Sequence, residues 1–317
     1  MTMLRPQYAQ LLEPGAHHIF NQVTDTVQRA LTYPAIFNVE TSTKAYEDDI
    51  EFANMPPAIW KPENTPVTYQ ALIQGGTVRY IHLTYALGAR ASMELMDDDQ
   101  YAIIDKVPEA LARSMNFTKE LTAWNIINRG FTLTTTTDGV SLFNNQHPLL
   151  GGAAATNVGP GLSTIISAAG TYPNRPAVDV DLSFAAMQLM TNHFERMVDA
   201  QGMPIYAKPK MVVAAPAQRF LLRELLGSPG KPGTATNEIN SLLGEDLTYS
   251  IAHFLTADNP WFAFGNKADT QLRFFERDKG KMDMDDDFDT HAIKWKTIAR
   301  YSAGASHWIN TWGSNGP

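Results

Sequence analysis

The sequence predicts an α+β fold, and three observations carry that expectation. Alternating segments flank Gly75-Gly76, a helical repeat runs from Asp97 to Gly130, and the section from Gln271 onward reads as mostly strand. With 317 residues the chain has room for one large domain or two smaller ones.

Taken in order, residues 1–44 read as an arm. Pro6, Pro14 and Pro34 interrupt it, with a helix expected from about Ile19 to Leu31. Little in the first eighteen residues would anchor them to their own chain, so a neighbouring subunit is expected to hold them. "FANMPPAIWKPENTP" is proline-rich and reads as a loop tip, with Ile59 and Trp60 as exposed anchors. "VTYQALI" and "TVRYIHLTYAL" both alternate, and Gly75-Gly76 between them suits a tight primed turn. A two-stranded hairpin is marginal alone in water and needs a surface to lie on.

Asp97–Asp99 then suit a helix N-terminus. Tyr101, Ile104, Leu111 and Met115 recur at helical spacing, as do Leu121, Trp124 and Ile127, and Gly130 ends the run. Over residues 97–130 this is about 48 Å of helix, which Pro108 is expected to kink or split. A threonine-rich strand, an Asp138-Gly139 turn and a small-residue loop follow. Beyond them come a helix in "DLSFAAMQLMTNHFERMVDAQG", a buried strand in "KMVVAA" and a helix in "PAQRFLLRELLG". "GSPGKPGTATNEIN" reads as a flexible loop, and strands are expected in "LTYSIAHFL" and "WFAFGN". "QLRFFER" leads to a Lys279-Gly280 turn, then an acidic stretch, then "AIKWKTIARYSA".

Composition narrows the classes of function. Cysteine is absent, which removes disulfides and thiolate metal sites. The net charge of −8 lacks the basic surface of a protein that grips phosphates. No apolar run is long enough to cross a membrane as a helix, and the N-terminus lacks a signal-peptide core.

Catalytic patterns also fail. "GSPGKPG" has proline where a phosphate loop needs Ser or Thr, "GLSTI" lacks the second glycine of a nucleophile elbow, and no dinucleotide fingerprint is present. His147, in "DGVSLFNNQHP", sits near Asp138 in sequence. It reads either as a general base or as a loop histidine held extended before Pro148; no nucleophile accompanies it. The adjacent His17 and His18 make a poor chelate. No cofactor is expected.

The stretch "KGKMDMDDDFDTHAIKWK" allows two readings. Asp283, Asp285, Asp287 and Asp289 fall at alternate positions and His291 follows, so a metal site is one candidate. Neither register provides the glycine and glutamate of a calcium loop. The other reading is one face of a strand, solvated or meeting another subunit, with Lys294 and Lys296 nearby. The apolar face changes sides after His291, so either a bulge or bend near Thr290–Ala292 or a strand passing between two different layers is expected.

Four stretches together resemble a known family: "DGVSLFNNQHPL", "MVDAQGMPIYAKPKMVVAAPA", "PGTATNEINSLLG" and "DFDTHAIKWKTIARYSAG". With the order of elements, they resemble the major capsid protein of tailed bacteriophages, of Hong Kong 97-type fold, near the Mu-like major head subunits. The resemblance implies an arm at 1–44, an extended loop at 45–96, a peripheral domain from 97–141 and 270–317 with a long spine helix, and an axial domain at 142–269. It implies a homo-oligomer of hexamers and pentamers forming an icosahedral shell around double-stranded DNA, assembled in the bacterial cytoplasm. Portal and cement proteins would be partners. No long helical segment precedes the arm, so the scaffolding protein is expected to be separate.

Subunit contacts are expected at Ile59, Trp60, Arg79, Asp285, Asp287, Lys294 and Lys296. Strands 67–87 contain no lysine of the kind some relatives use in an isopeptide cross-link. The alternatives are an encapsulin-like nanocompartment shell and a soluble enzyme using His147 or the aspartates.

Overall fold

The computed structural model describes residues 6–28, 31–55, 58, 60–69, 71–97, 106–150, 170–231, 238–287, 289–290 and 292–316. In chain order the strands are β1 (Asn38–Thr41), β2 (Tyr46–Phe52), β3 (Gln74–Ile81), β4 (Leu83–Ser92), β5 (His147–Pro148), β6 (Thr171–Tyr172), β7 (Met211–Ala214), β8 (Thr248–Ile251), β9 (Trp261–Phe264), β10 (Leu272–Asp287), β11 (Ala292–Ala305) and β12 (Thr311–Ser314). The helices are α1 (Pro6–Gln28), α2 (Met93–Asp97), α3 (Val107–Asn128), α4 (Phe184–Glu195) and α5 (Arg219–Gly227).

Two four-stranded sheets organise these elements. One has the order β1-β10-β11-β4, the other β12-β9-β7-β8. Alternation along β11 sends Ile293, Trp295, Thr297, Ala299 and Tyr301 to the covered face. Residues of α3 and both sheets share one core that holds Trp124, Trp261, Trp308, Trp312 and Tyr301. Burying each such ring contributes on the order of 1.5–3 kcal/mol. A smaller cluster, with Phe20 of α1 set against Leu111 of α3 and Trp295 of β11, ties the arm helix to the first sheet. Helix α4 starts where its sequence says it should: the Ser183 hydroxyl accepts from the Ala186 N–H at 3.2 Å, a cap worth about 1 kcal/mol.

Several expectations need correction. Gly75-Gly76 is not a turn but lies inside β3, which pairs antiparallel with β2 from Tyr46↔Ile81 to Phe52↔Gln74. Glycine is required at 76 for a different reason, since a Cβ there would sit 1.9 Å from the Thr137 carbonyl oxygen. "TVRYIHLTYAL" is likewise not one strand. It breaks at His82, so that β3 pairs with β2 while β4 pairs with β11.

Pro108 does not kink the long helix. It occupies the first turn of α3, where its missing N–H costs nothing, and residues 98–105 lie outside the described residues. The arm helix begins earlier than expected and runs through Pro14. The threonine-rich segment forms only an isolated bridge, Thr134↔Ser141.

Lys279-Gly280 is not a turn either. Strand β10 is continuous there, with register shifts between Glu276 and Asp278 and between Asp278 and Lys281. Gly280, at φ 113°, takes the left-handed backbone that this bulge demands. The chain reverses between Asp287 and Ala292 instead. The apolar face changes sides there because β10 ends and β11 returns antiparallel to it, not because one strand is bulged.

Candidate functional site

Strand β2, "YEDDIEF", is amphipathic inside out. Glu47, Asp49 and Glu51 turn toward the body, while Tyr46, Ile50 and Phe52 face away from it. Register puts Ile81 beside Tyr46 on the outer face, and Ile81 and Phe52 are 61% and 60% exposed. The outer face also carries Arg79, bidentate on Asp48 at 2.7 and 2.8 Å, with its guanidinium 4.1 Å above the Tyr46 ring. The ribbon therefore shows solvent an apolar strip with one ion pair in it.

The inner face is polar and fully engaged. Asp49 Oδ2 accepts from Arg273 Nε at 2.9 Å and from Ser306 Oγ at 2.5 Å. Tyr80 lies 2.5 Å from Ser306 Oγ and completes that relay; burial pushes its phenol well above its ordinary value, so it stays a donor. Glu51 Oε1 accepts from His307 Nε2 at 2.5 Å, and Oε2 from Thr137 Oγ1 at 2.7 Å. The Ile309 N–H donates to His307 Nδ1 at 3.1 Å, so the ring proton sits on Nε2 and points at Glu51. Burial raises the Glu51 carboxyl, and the His307 and Thr137 bonds more than offset this, holding it below the usual carboxylate range. A cleft of about 280 Å³ between hairpin and body is lined by Asp49, Glu51, Asp199, Asp269, Arg273 and His307 among others.

His147 is brought to Asp138, with Nδ1 2.5 Å from Oδ2, and its Nε2 lies 3.0 Å from Asn174 Oδ1. The Asn174 amide is fixed by backbone groups: its oxygen accepts from the Asn144 N–H and its nitrogen donates to the Leu142 carbonyl. His147 is completely buried and stacks on Trp308 at 4.7 Å. Both ring nitrogens are occupied, and among the described residues no nucleophile faces them; the arrangement cross-braces three loop segments.

Each outward aspartate of β10 meets an element of β11 in register: Asp283↔Lys296, Asp285↔Lys294, Asp287↔Ala292. Lys294 Nζ lies 2.5 Å from Asp287 and Lys296 Nζ 3.6 Å from Asp283. The Lys294 bond draws the Asp287 carboxyl down to about 2. Among the described residues no group of three acidic or histidine side chains is placed to hold a metal. Asp289 lies in the reversal, and His291 falls outside the described residues. So does Ile59, while Trp60 is half exposed.

Sequence reasoning missed Asp49, Glu51, Ser306 and His307. The signal was the alternation of "YEDDIEF" itself, masked because the carboxylates rather than the apolar residues turn inward.

Comparison with known proteins accords with this architecture. The family model for phage capsid protein matches residues 76–311. No curated protein matches the chain. Among solved structures, the chain is similar to one from Microbacterium phage Oxtober96 at a TM-score of 0.56, with 10% identity, covering 90% of this chain and 91% of that one. It is similar to the capsid of the native GTA particle at 0.57, with 12% identity and 89% of each chain covered. It is also similar to the capsid of Myoviridae phage XM1 at 0.51, with 12% identity and 89% of each chain covered. These likenesses show the fold, the Hong Kong 97-type arrangement of helices and several sheets, and the family match over most of the chain shows the rest: this chain belongs to the phage capsid protein family and is a structural component of the virion capsid.

Proposed function

We propose that this chain is the major head subunit and that it assembles into hexamers and pentamers of an icosahedral shell enclosing double-stranded phage DNA. The observation that carries the reading, beside the family match, is the outward apolar strip of the β2–β3 ribbon. Tyr46, Ile50, Phe52 and Ile81 are exposed on a two-stranded element too small to be stable by itself. A neighbouring copy laid on that strip would bury it, and the many-fold contacts of a shell supply such a neighbour. On this reading residues 1–44 are the arm, 45–96 the extended loop, 97–141 with 270–317 the peripheral domain, and 142–269 the axial domain. Trp60, Arg79 and the Asp285–Lys294 region are subunit contacts.

The shell holds DNA by enclosure, since the chain's charge of −8 offers no general phosphate surface. The subunit carries no catalysis. Assembly takes place in the bacterial cytoplasm with a scaffolding protein, a portal and a cement protein as partners. The family match favours a phage head over an encapsulin-like shell. Cryo-electron microscopy of the full chain, expressed alone and with the genes flanking it, tests this. Closed shells or capsomer rings are expected. A monomer under both conditions overturns the proposal, and shells filled with a protein cargo in place of DNA favour the nanocompartment.

A further inference from the structure

The β2–β3 ribbon leaves the body at a place where almost every polar side chain is committed. Glu51 is held by His307 and Thr137, and Asp49 by Arg273 and Ser306. Thr137 is itself fixed, its N–H donating to the Ser306 carbonyl at 2.9 Å and its own carbonyl pressed against Gly76. His307 stacks on Trp308 at 5.3 Å, and Trp308 also stacks on His147, which is bonded to Asp138. One aromatic ring thus joins the brace of the body to the base of the ribbon.

A strand with its carboxylates inward spends no apolar surface on its own body. Its apolar residues are free because charged ones hold it down, with the buried Tyr80 ring of β3 packed on Phe275 beside them. We propose that Asp49 and Glu51 are positioning residues: together with Ser306, Arg273, His307 and Thr137 they form a latch that fixes the direction of the ribbon and keeps its apolar strip turned toward a second copy of the chain. This deepens the head-subunit reading and rests on it only for what the strip meets.

The latch has a definite chemistry. His307 donates from Nε2 because Nδ1 is occupied by the Ile309 N–H, so Glu51 must accept, and the carboxylate accepts about twice as strongly as the neutral acid. The charged groups around the pair are Asp49 on the same strand, Arg273 on β10, Asp138 in the Thr137 turn, and Asp199 and Asp269 across the cleft. Asp138 opposes ionisation of Glu51; His307 and Thr137 favour it and prevail. A depressed carboxyl stabilises the folded contact above its unfolded value, about 4.3, and that contribution is lost as pH falls through the lower folded value.

Hydrogen exchange on the full, unassembled chain tests the latch. His307→Phe keeps the stack on Trp308 but donates nothing, whereas His307→Gln retains a donor toward Glu51. His307→Phe is expected to exchange at least tenfold faster than wild type in peptides covering 46–52 and 74–81, with 211–214 and 261–264 unchanged. His307→Gln is expected to stay near wild type. In the wild type, protection at 46–52, corrected for intrinsic rate, should fall on acidification below about pH 4 before the core opens. Glu51→Gln should remove that step.

Equal protection in His307→Phe and wild type overturns the proposal, as does a wild-type ribbon with no protection at about pH 7 or a Glu51→Gln profile with the acid step intact. If the chain never forms shells while the exchange pattern holds, the head-subunit reading fails and the latch stands.

Discussion

Lys119 Nζ lies 2.6 Å from Glu276 Oε1 with both side chains out of solvent, and the same ammonium donates to the Lys279 carbonyl at 2.8 Å. The lysine comes from α3. Glu276 stands at the start of the register shifts of β10 and Lys279 within them, so one buried cation fastens the long helix to the point where that strand bulges. Lys119→Met is expected to destabilise the fold by about 3–5 kcal/mol, because Glu276 is left buried without its partner. Lys119→Met with Glu276→Leu should recover most of that loss. Denaturant midpoints of the two variants check it, and equal losses would show that the pair is not coupled.

The buried Asp138–His147 contact gives the fold a dependence on acid. Burial raises the Asp138 carboxyl, but the bonds from His147, Thr136 and the Val140 N–H hold it below the usual value. Its stabilisation is therefore complete above the unfolded value, about 3.9, and is lost as pH falls through the depressed folded value. Asp138→Asn is expected to cost about 1–3 kcal/mol near neutrality and to flatten the acid limb of the melting curve. Thermal melts from about pH 2.5 to 7 should show the two proteins converging at the acid end.

The aspartate row of β10 is answered within the chain by Lys294 and Lys296. Exposed pairs of this kind add little to fold stability and are screened by salt. Asp285→Asn with Asp287→Asn is expected to leave the melting temperature of the unassembled chain unchanged while shifting the salt dependence of assembly, read by light scattering. Chelators should leave assembled particles intact. Dissolution by a chelator, reversed by calcium, would instead assign the row to a cation.

The outer strip of the ribbon separates folding from assembly. Phe52→Asp and Ile81→Asp alter exposed positions, so each should change fold stability by no more than about 0.5 kcal/mol. Each should nonetheless abolish or strongly reduce particle formation, since a charge would then be buried at the contact. Sedimentation of the variants beside wild type checks this, and normal yields of particles would remove the strip from the interface.

The sequence by itself determined the elements whose own residues decide them. Helix α4 follows from its apolar repeat and the Ser183 cap, β7 and β9 from short apolar runs, and α5 from Pro216 ahead of it and Gly227 at its end. The four quoted stretches, in order, led to the family, which the match over 76–311 shows. Those signals are local and survive being read one segment at a time.

What the tertiary structure decided depends on distant partners. Local alternation in "YEDDIEF" is legible, but which face turns inward is set by His307, Ser306 and Arg273, more than two hundred residues away. Gly76 looks like a turn residue until the Thr137 carbonyl is seen against it. Gly280 looks like another until β11 is paired across it. The aspartates of β10 look like a chelate until the antiparallel pairing with β11 places lysines opposite Asp283 and Asp285. In each case a residue type fits two local structures of similar energy, and only a contact supplied by another part of the chain selects between them.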